Sequence, residues 1–334
     1  MTSPWPVVVF EFDPYVHLVG LTIRAETLVI AIGVLAGIAW AGVIAGRTPV
    51  GAIGPAHPAA GPDPTHGVPD DEADDEAWDD DEDWEDDEQE FDPDARLPRD
   101  DLLFILLGTI PGAVLLGRLG YGLLHLDWYG PNPRLLFDLS AGSAELTLAV
   151  LGGTMTGIYV AALLDAPVSR WLHAAIRPLL LALAVAKLGQ ALGGSGQGAL
   201  VLDGSVPATA YLGSGPWGSL GADLPAVPSQ LYEAAITLLV LVAVVLLGAF
   251  TSLRAPDGRL FAVGLGIWAF ARGLVATSWR DAPVLGTLKA EQLICLAVAA
   301  IAFSAATVAW AWGRQARAAV AAAERTGLES GRSS

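Results

Sequence analysis

Five ionisable residues interrupt stretches that are otherwise apolar: Arg118, Lys187, Glu233, Arg272 and, near one end of its run, Arg177. A charge inside a bilayer costs a few kcal/mol unless it is paired or hydrated, and charges retained there usually serve function. Cations of this kind can hold a phosphate, bidentately through a guanidinium and as a point charge through an ammonium. Glu26, Glu145, Gln190, Gln230, Tyr232 and Arg280 stand at comparable positions near the ends of the same runs. The bland alternative is that the cations snorkel to an interface, or pair with the glutamates only to hold a bundle. Agreement in depth between several independent runs favours a site.

The elements that must position these groups follow from hydropathy. A chain of 334 residues that is 53% hydrophobic and 16% charged is too apolar for an ordinary soluble protein. Seven runs reach the roughly 20 residues a bilayer core requires: 27–46, 102–125, 146–164, 171–194, 230–250, 260–279 and 292–312. The fold class expected is therefore an all-α polytopic membrane protein with about seven transmembrane helices. The Gly/Pro-rich connection 195–228 reads as a small outer cap with short extended pieces.

The net charge of −18 is local: residues 63–101 hold 21 of the 36 acids and two of the 18 bases. Such a run repels itself and cannot bury a core, so 48–100 reads as a disordered acidic insert. Trp78, Trp84 and Phe91 within it could anchor a basic cytoplasmic partner, although a solvated low-complexity insertion is the simpler reading. The domain division expected is 1–47 for an N-terminal segment and first helix, 48–100 for the insert, 101–313 for the bundle, and 314–334 for a cytoplasmic tail. The N-terminus lacks the basic region of a cleaved signal peptide. The lone Cys295, inside an apolar run, reads as packing. Nothing in the sequence points to nucleic acid, a metal or a cofactor.

Counting Lys and Arg in the short connections places the N-terminus outside and the C-terminus in the cytoplasm. In that orientation the second, fourth and sixth helices run outward, and Arg118, Lys187 and Arg272 each fall about two-thirds along them. At 1.5 Å per residue they share a level in the outer half of the membrane, with Glu26, Glu145 and Glu233 at the outer ends of the other helices. A polar chamber opening outward could seat an anionic phospholipid headgroup while its chains stay in lipid.

Several motifs then resemble those of the prolipoprotein diacylglyceryl transferase family. Pro228-Ser229-Gln230-Leu231-Tyr232-Glu233 matches the family's P-[ST]-Q-L-Y-E at the outer start of the fifth helix. Gly117-Arg118-Leu119-Gly120-Tyr121 looks like its G-x-R-x-G-Y, and Pro216-Trp217-Gly218 like its P-W-G. Arg272 and Arg280 look like the two arginines of the sixth helix, Gln292 like the glutamine opening the seventh, and Gly198 like the glycine closing the central signature. That signature, G-R-x-G-N-x-x-N-x-E, is altered here: Lys187 replaces its arginine, Gln190 its first asparagine, and its second asparagine and glutamate are missing. The family's H-G-G is Leu151-Gly152-Gly153, without the histidine.

The resemblance implies a bacterial inner-membrane enzyme that moves a diacylglyceryl group from phosphatidylglycerol to a lipobox cysteine, with the prolipoprotein signal peptide as its second partner. Arg272, Glu233 and Lys187 are then the catalytic candidates. Arg118, Tyr121, Gln190, Gly198, Gln230, Tyr232 and Arg280 are the candidates for substrate binding. Glu233 is the candidate base, a carboxylate placed where ionisation is costly. A structural ion-pair partner is its blander role, and His125 and His17 are alternatives at helix ends. Two other functions fit the same residues: a non-catalytic relative that binds anionic lipid or a lipoprotein precursor, and a small anion transporter.

Overall fold

The computed structural model describes residues 7–50, 96–138, 144–212 and 224–330. The acidic run with Trp78, Trp84 and Phe91, and the Pro216-Trp217-Gly218 element, lie outside them. Seven helices among the described residues are long and apolar enough to cross a membrane. They are α1 (Ala25–Ala45), α2 (Arg99–Leu124), α3 (Leu146–Leu163), α4 (Val168–Gly193), α5 (Ser229–Phe250), α6 (Arg259–Val275) and α7 (Ala290–Ser330). Each expected run coincides with one of them. The last extends well beyond 312, because an alanine-rich segment keeps helical propensity after its hydropathy falls.

The core lies among α4, α5, α6 and α7, where Ile176, Leu180, Val244, Leu260 and Trp268 are buried against one another. The α2–α3 hairpin is a separate packing unit. Gly112 and Gly152 face each other so closely that a Cβ on either would strike the other's carbonyl oxygen. Small residues at a helix–helix contact admit this approach of backbones, which is how packing replaces the hydrophobic effect inside lipid. The hairpin meets α1 and α4 at few places. Between it and those helices lies an apolar cavity of about 380 Å³, running from Leu146 and Val150 at one end to Val168 and Trp171 at the other.

Helices α1, α3, α5 and α7 begin, and α2, α4 and α6 finish, at one end of the bundle, called here the cap end. Strand β1 (Val7–Glu11) pairs in parallel with β4 (Ala208–Leu212), while β2 (Tyr15–Leu18) with β3 (Leu21–Arg24) and β5 (Pro283–Leu285) with β6 (Leu288–Lys289) form antiparallel hairpins. The N-terminal segment therefore belongs to the cap, a partnership between distant segments that no local pattern announces. Ala199 N–H bonds to the Ser278 carbonyl at 2.8 Å and ties the cap to the end of α6.

At the opposite end, Pro49 and Arg96 form an antiparallel bridge, and Leu97 N–H bonds to the Thr48 carbonyl at 3.2 Å. Arg170 of α4 donates to the Pro49 carbonyl at 2.8 Å. Thr48 and Pro49 are thus pinned beside Arg96 and Leu97 as one neck.

Candidate functional site

Three cap-end helices converge on one carboxylate. Glu233 enters on the second turn of α5, Lys187 lies two turns before the end of α4, and Arg272 one turn before the end of α6. Lys187 Nζ is 2.9 Å from Glu233 Oε2, and Arg272 Nη1 donates to that same oxygen. All three residues are buried. Arg272 Nε also donates to Thr147 Oγ1 at 3.1 Å, and its guanidinium lies 4.5 Å from the centre of the Trp279 ring. A delocalised cation suits this stacked, multiply bonded position better than an ammonium would.

Glu145 completes the cluster from α3. Its Oε2 caps that helix by accepting from Leu148 N–H at 2.5 Å. Its Oε1 is 3.8 Å from Arg272 Nη2 and accepts no hydrogen bond among the described residues. The Glu145 N–H in turn bonds to the Gly117 carbonyl at 2.9 Å. That bond puts Arg118, the next residue of α2, at the level of the cluster.

Arg118 is nevertheless turned to another task. Its Nη2 donates to the carbonyls of Leu135 and Asp138 at 2.9 and 2.6 Å, and its Nε to that of Leu136 at 3.2 Å. It binds the loop that follows α2. Tyr121 stacks on His125 at 4.1 Å, one turn further along α2. Tyr232 is 39% exposed, whereas Glu233, its neighbour in sequence, is buried.

Gly198 and Arg280 form a junction in the cap. Arg280 Nε donates to the Gly198 carbonyl at 2.9 Å, and Gly198 N–H bonds to the Val227 carbonyl at 2.8 Å. A Cβ at Gly198 would drive into Ser229 Oγ and the Ser278 carbonyl, so only glycine fits. Gln292 donates to the Gly273 carbonyl at 3.2 Å and accepts from Lys289 N–H at 2.9 Å, fastening α7 to α6.

Gln230 and Gln190 lie one turn nearer the cap than Glu233 and Lys187. Gln230 Nε2 donates to Tyr211 Oη at 3.0 Å, and that hydroxyl donates to the Ala191 carbonyl at 2.8 Å. Phe10 of β1 stacks on the Tyr211 ring at 5.3 Å. Burial raises the Tyr211 phenol above its ordinary pKa, which preserves the proton it donates.

A profile of the prolipoprotein diacylglyceryl transferase family matches residues 88–310. The chain belongs to this family. It is accordingly a multi-pass membrane protein, and the seven apolar helices agree with that assignment. No match to a curated protein is found.

Set beside the family's motifs, this transferase-family chain joins Arg272, Lys187 and Glu233 at one point and holds Gln190 and Gln230 next to it. Arg118, Tyr121, Gly198, Tyr232 and Arg280 surround that point without touching it in the contacts described above. Where the family's H-G-G begins, Leu151 packs against the apolar core. Thr147 and Tyr211 were not singled out by the sequence, and Glu145 was placed in the layer without being chosen. A threonine at the second position of an apolar run, just after a capping glutamate, was the available signal for the first pair. Tyr211 had none, since a β-strand tyrosine in a cap is unremarkable until its partner is known.

Proposed function

We propose that the chain transfers the diacylglyceryl group of phosphatidylglycerol to the thiol of a lipobox cysteine at the outer face of a bacterial inner membrane, with its N-terminus outside. The observation that carries this reading is the pair of buried cations, Lys187 and Arg272, sharing one carboxylate near the head of an apolar cavity. A phosphate inserted beside them replaces part of what Glu233 supplies, while the diacyl chains run down the cavity between the α2–α3 hairpin and α1 and α4. In the transfer, the cysteine sulfur attacks the glyceryl carbon. The carbon–oxygen bond to phosphate breaks, and glycerol phosphate leaves with the bonding electrons.

Negative charge grows on the departing phosphate, so fixed cations that already face it lower the barrier without reorganising. Glu233 acts as the counter-ion that keeps Lys187 and Arg272 buried and aimed. The proton acceptor in this reading is Glu145, whose Oε1 accepts no hydrogen bond among the described residues. Once Glu145 takes the thiol proton, Arg272 and Lys187 outnumber the remaining carboxylate when the leaving group is most anionic. Arg118, Gly198 and Arg280 hold the loop and cap over the site.

A second reading is a lipid-binding relative without chemistry, favoured by Leu151 standing in the core at the position of the family's histidine. Complementation separates the two. The chain is expressed in bacteria depleted of their own transferase, and lipobox-cysteine modification is followed by mass spectrometry. Thioether formation is expected; correct insertion with unmodified prolipoprotein would remove the enzyme reading.

A further inference from the structure

The polar layer has a second rung. On α4, Gln190 follows Lys187 by three residues; on α5, Gln230 precedes Glu233 by three. The two helices run in opposite directions, so both steps lead toward the cap, by about 4.5 Å at 1.5 Å per residue. The Lys187–Glu233 pair is therefore overlaid by a Gln190–Gln230 pair.

The upper rung lacks donors. The Tyr211 hydroxyl proton is committed to the Ala191 carbonyl, so whatever approaches the phenol oxygen must itself donate. That requirement fixes the Gln230 amide with its nitrogen toward Tyr211 and its oxygen turned away. Gln230 is fully buried, and its Oε1 meets no donor among the described residues; the buried Oε1 of Gln190 meets none either. Native interiors leave few acceptors in this condition, and a pair of them on adjacent helices calls for a ligand that donates twice. Gly196 covers both: a Cβ built there would lie 3.0 Å from Gln190 Oε1 and 3.5 Å from the Gln230 Cβ. The covering loop is anchored on either side of Gly196, by Ser195 Oγ donating to Glu26 Oε1 at 2.6 Å and by the Gly198 junction, so Gly196, without a side chain, is the part that a ligand must move.

We infer that the Gln190–Gln230 rung recognises the hydroxyl groups of a polyol headgroup on the donor phospholipid, one helical turn above the phosphate. The inference rests on the transferase reading for the position of that phosphate at Lys187 and Arg272. A glyceryl headgroup carries hydroxyls on the second and third carbons from the phosphate ester, which supplies two donors to two acceptors within one turn. A choline headgroup offers no donor. An ethanolamine headgroup would bring a third cation toward Lys187 and Arg272, with like charges close together in a poorly solvated site.

The test compares dioleoylphosphatidylglycerol with dioleoylphosphatidylpropanol, which keeps the phosphate and chains but has no hydroxyls. Binding of each to the full chain in detergent is measured by native mass spectrometry. The unaltered protein is expected to prefer phosphatidylglycerol by about tenfold or more, because the deoxy analogue leaves buried acceptors unpaired. The Gln190 amide makes no bond to the cap among the described residues, so Gln190→Met should weaken phosphatidylglycerol binding and leave phosphatidylpropanol binding unchanged, closing the gap; Gln230→Met should do the same. Equal affinities in the unaltered protein, or variants that lose both lipids in parallel, would overturn the inference. So would variants that weaken only a lipobox peptide, since the rung would then belong to the acceptor. Discrimination without cysteine modification upholds the rung and removes the transferase, whereas transfer from both lipids alike does the reverse.

Discussion

Lys187 of α4 and Arg272 of α6 are bound to the same oxygen of one carboxylate, Oε2 of Glu233 on α5. Three helices thus share a single electrostatic joint, and the groups assigned to the substrate phosphate are also those that fix the bundle at the cap end. In the transferase reading, function and stability are coupled there.

Glu233→Gln leaves two buried cations without their counter-charge. Removing one partner of a buried pair costs about 3–5 kcal/mol. A marked fall in the thermal midpoint of the detergent-solubilised protein is expected, with partial recovery in Glu233→Gln/Lys187→Met, where one cation is also removed. An unchanged midpoint in the single variant would show that the joint does not hold the helices.

Arg272→Ala should abolish transfer. Arg272→Lys keeps the charge but cannot stack on Trp279, reach Thr147 and meet Glu233 together; loss of an oriented donor of this kind costs about 10²–10³-fold in rate. Cysteine modification in membranes adjusted to equal protein content measures both. A lysine variant as fast as the original would mean that charge alone suffices.

Arg118→Ala should act on stability rather than on chemistry. Three loop carbonyls lose a charged donor, a loss of about 2–4 kcal/mol. Rate per folded molecule and affinity for phosphatidylglycerol should stay near their original values. A selective loss of lipid affinity would place Arg118 on the substrate.

Deleting residues 63–95 should leave transfer intact. The neck formed by Thr48, Pro49, Arg96 and Leu97 is pinned by its own bridge and by Arg170, and the deletion spares every one of these bonds. Loss of cysteine modification on deletion, with Arg272→Ala tolerated, would move the function into the acidic run.

Tyr211 links pH to the cap. Burial raises its phenol in the folded state, so the neutral form is the one folding favours. Its contribution to stability is complete below about pH 10, the ordinary tyrosine value, and is lost as pH rises through the higher folded value. The absorbance change of tyrosinate should include one late component that disappears in Tyr211→Phe. A Tyr211 that titrates with exposed tyrosines would mean that its hydrogen bonds to Gln230 and Ala191 do not persist.

The spans, their alternation and the level of the charges were all legible in the sequence. Hydropathy fixes helix length because a bilayer permits only internally satisfied backbone, and residue number then converts to depth through a constant rise. Lys187, Glu233 and Arg272 could be placed together on that basis alone. Rotation about each helix axis could not be read this way, because the runs containing Arg118 and Tyr232 are apolar on all sides and present no face to choose. Only packing decided that Arg118 turns to the loop after α2, that Tyr232 stays exposed, and that Glu145 approaches Arg272 with one oxygen to spare. The parallel pairing of β1 with β4, some 200 residues apart, seats Tyr211 and thereby orients Gln230. A contact of that range is made by the folded chain as a whole, since neither strand alone carries a mark of the other.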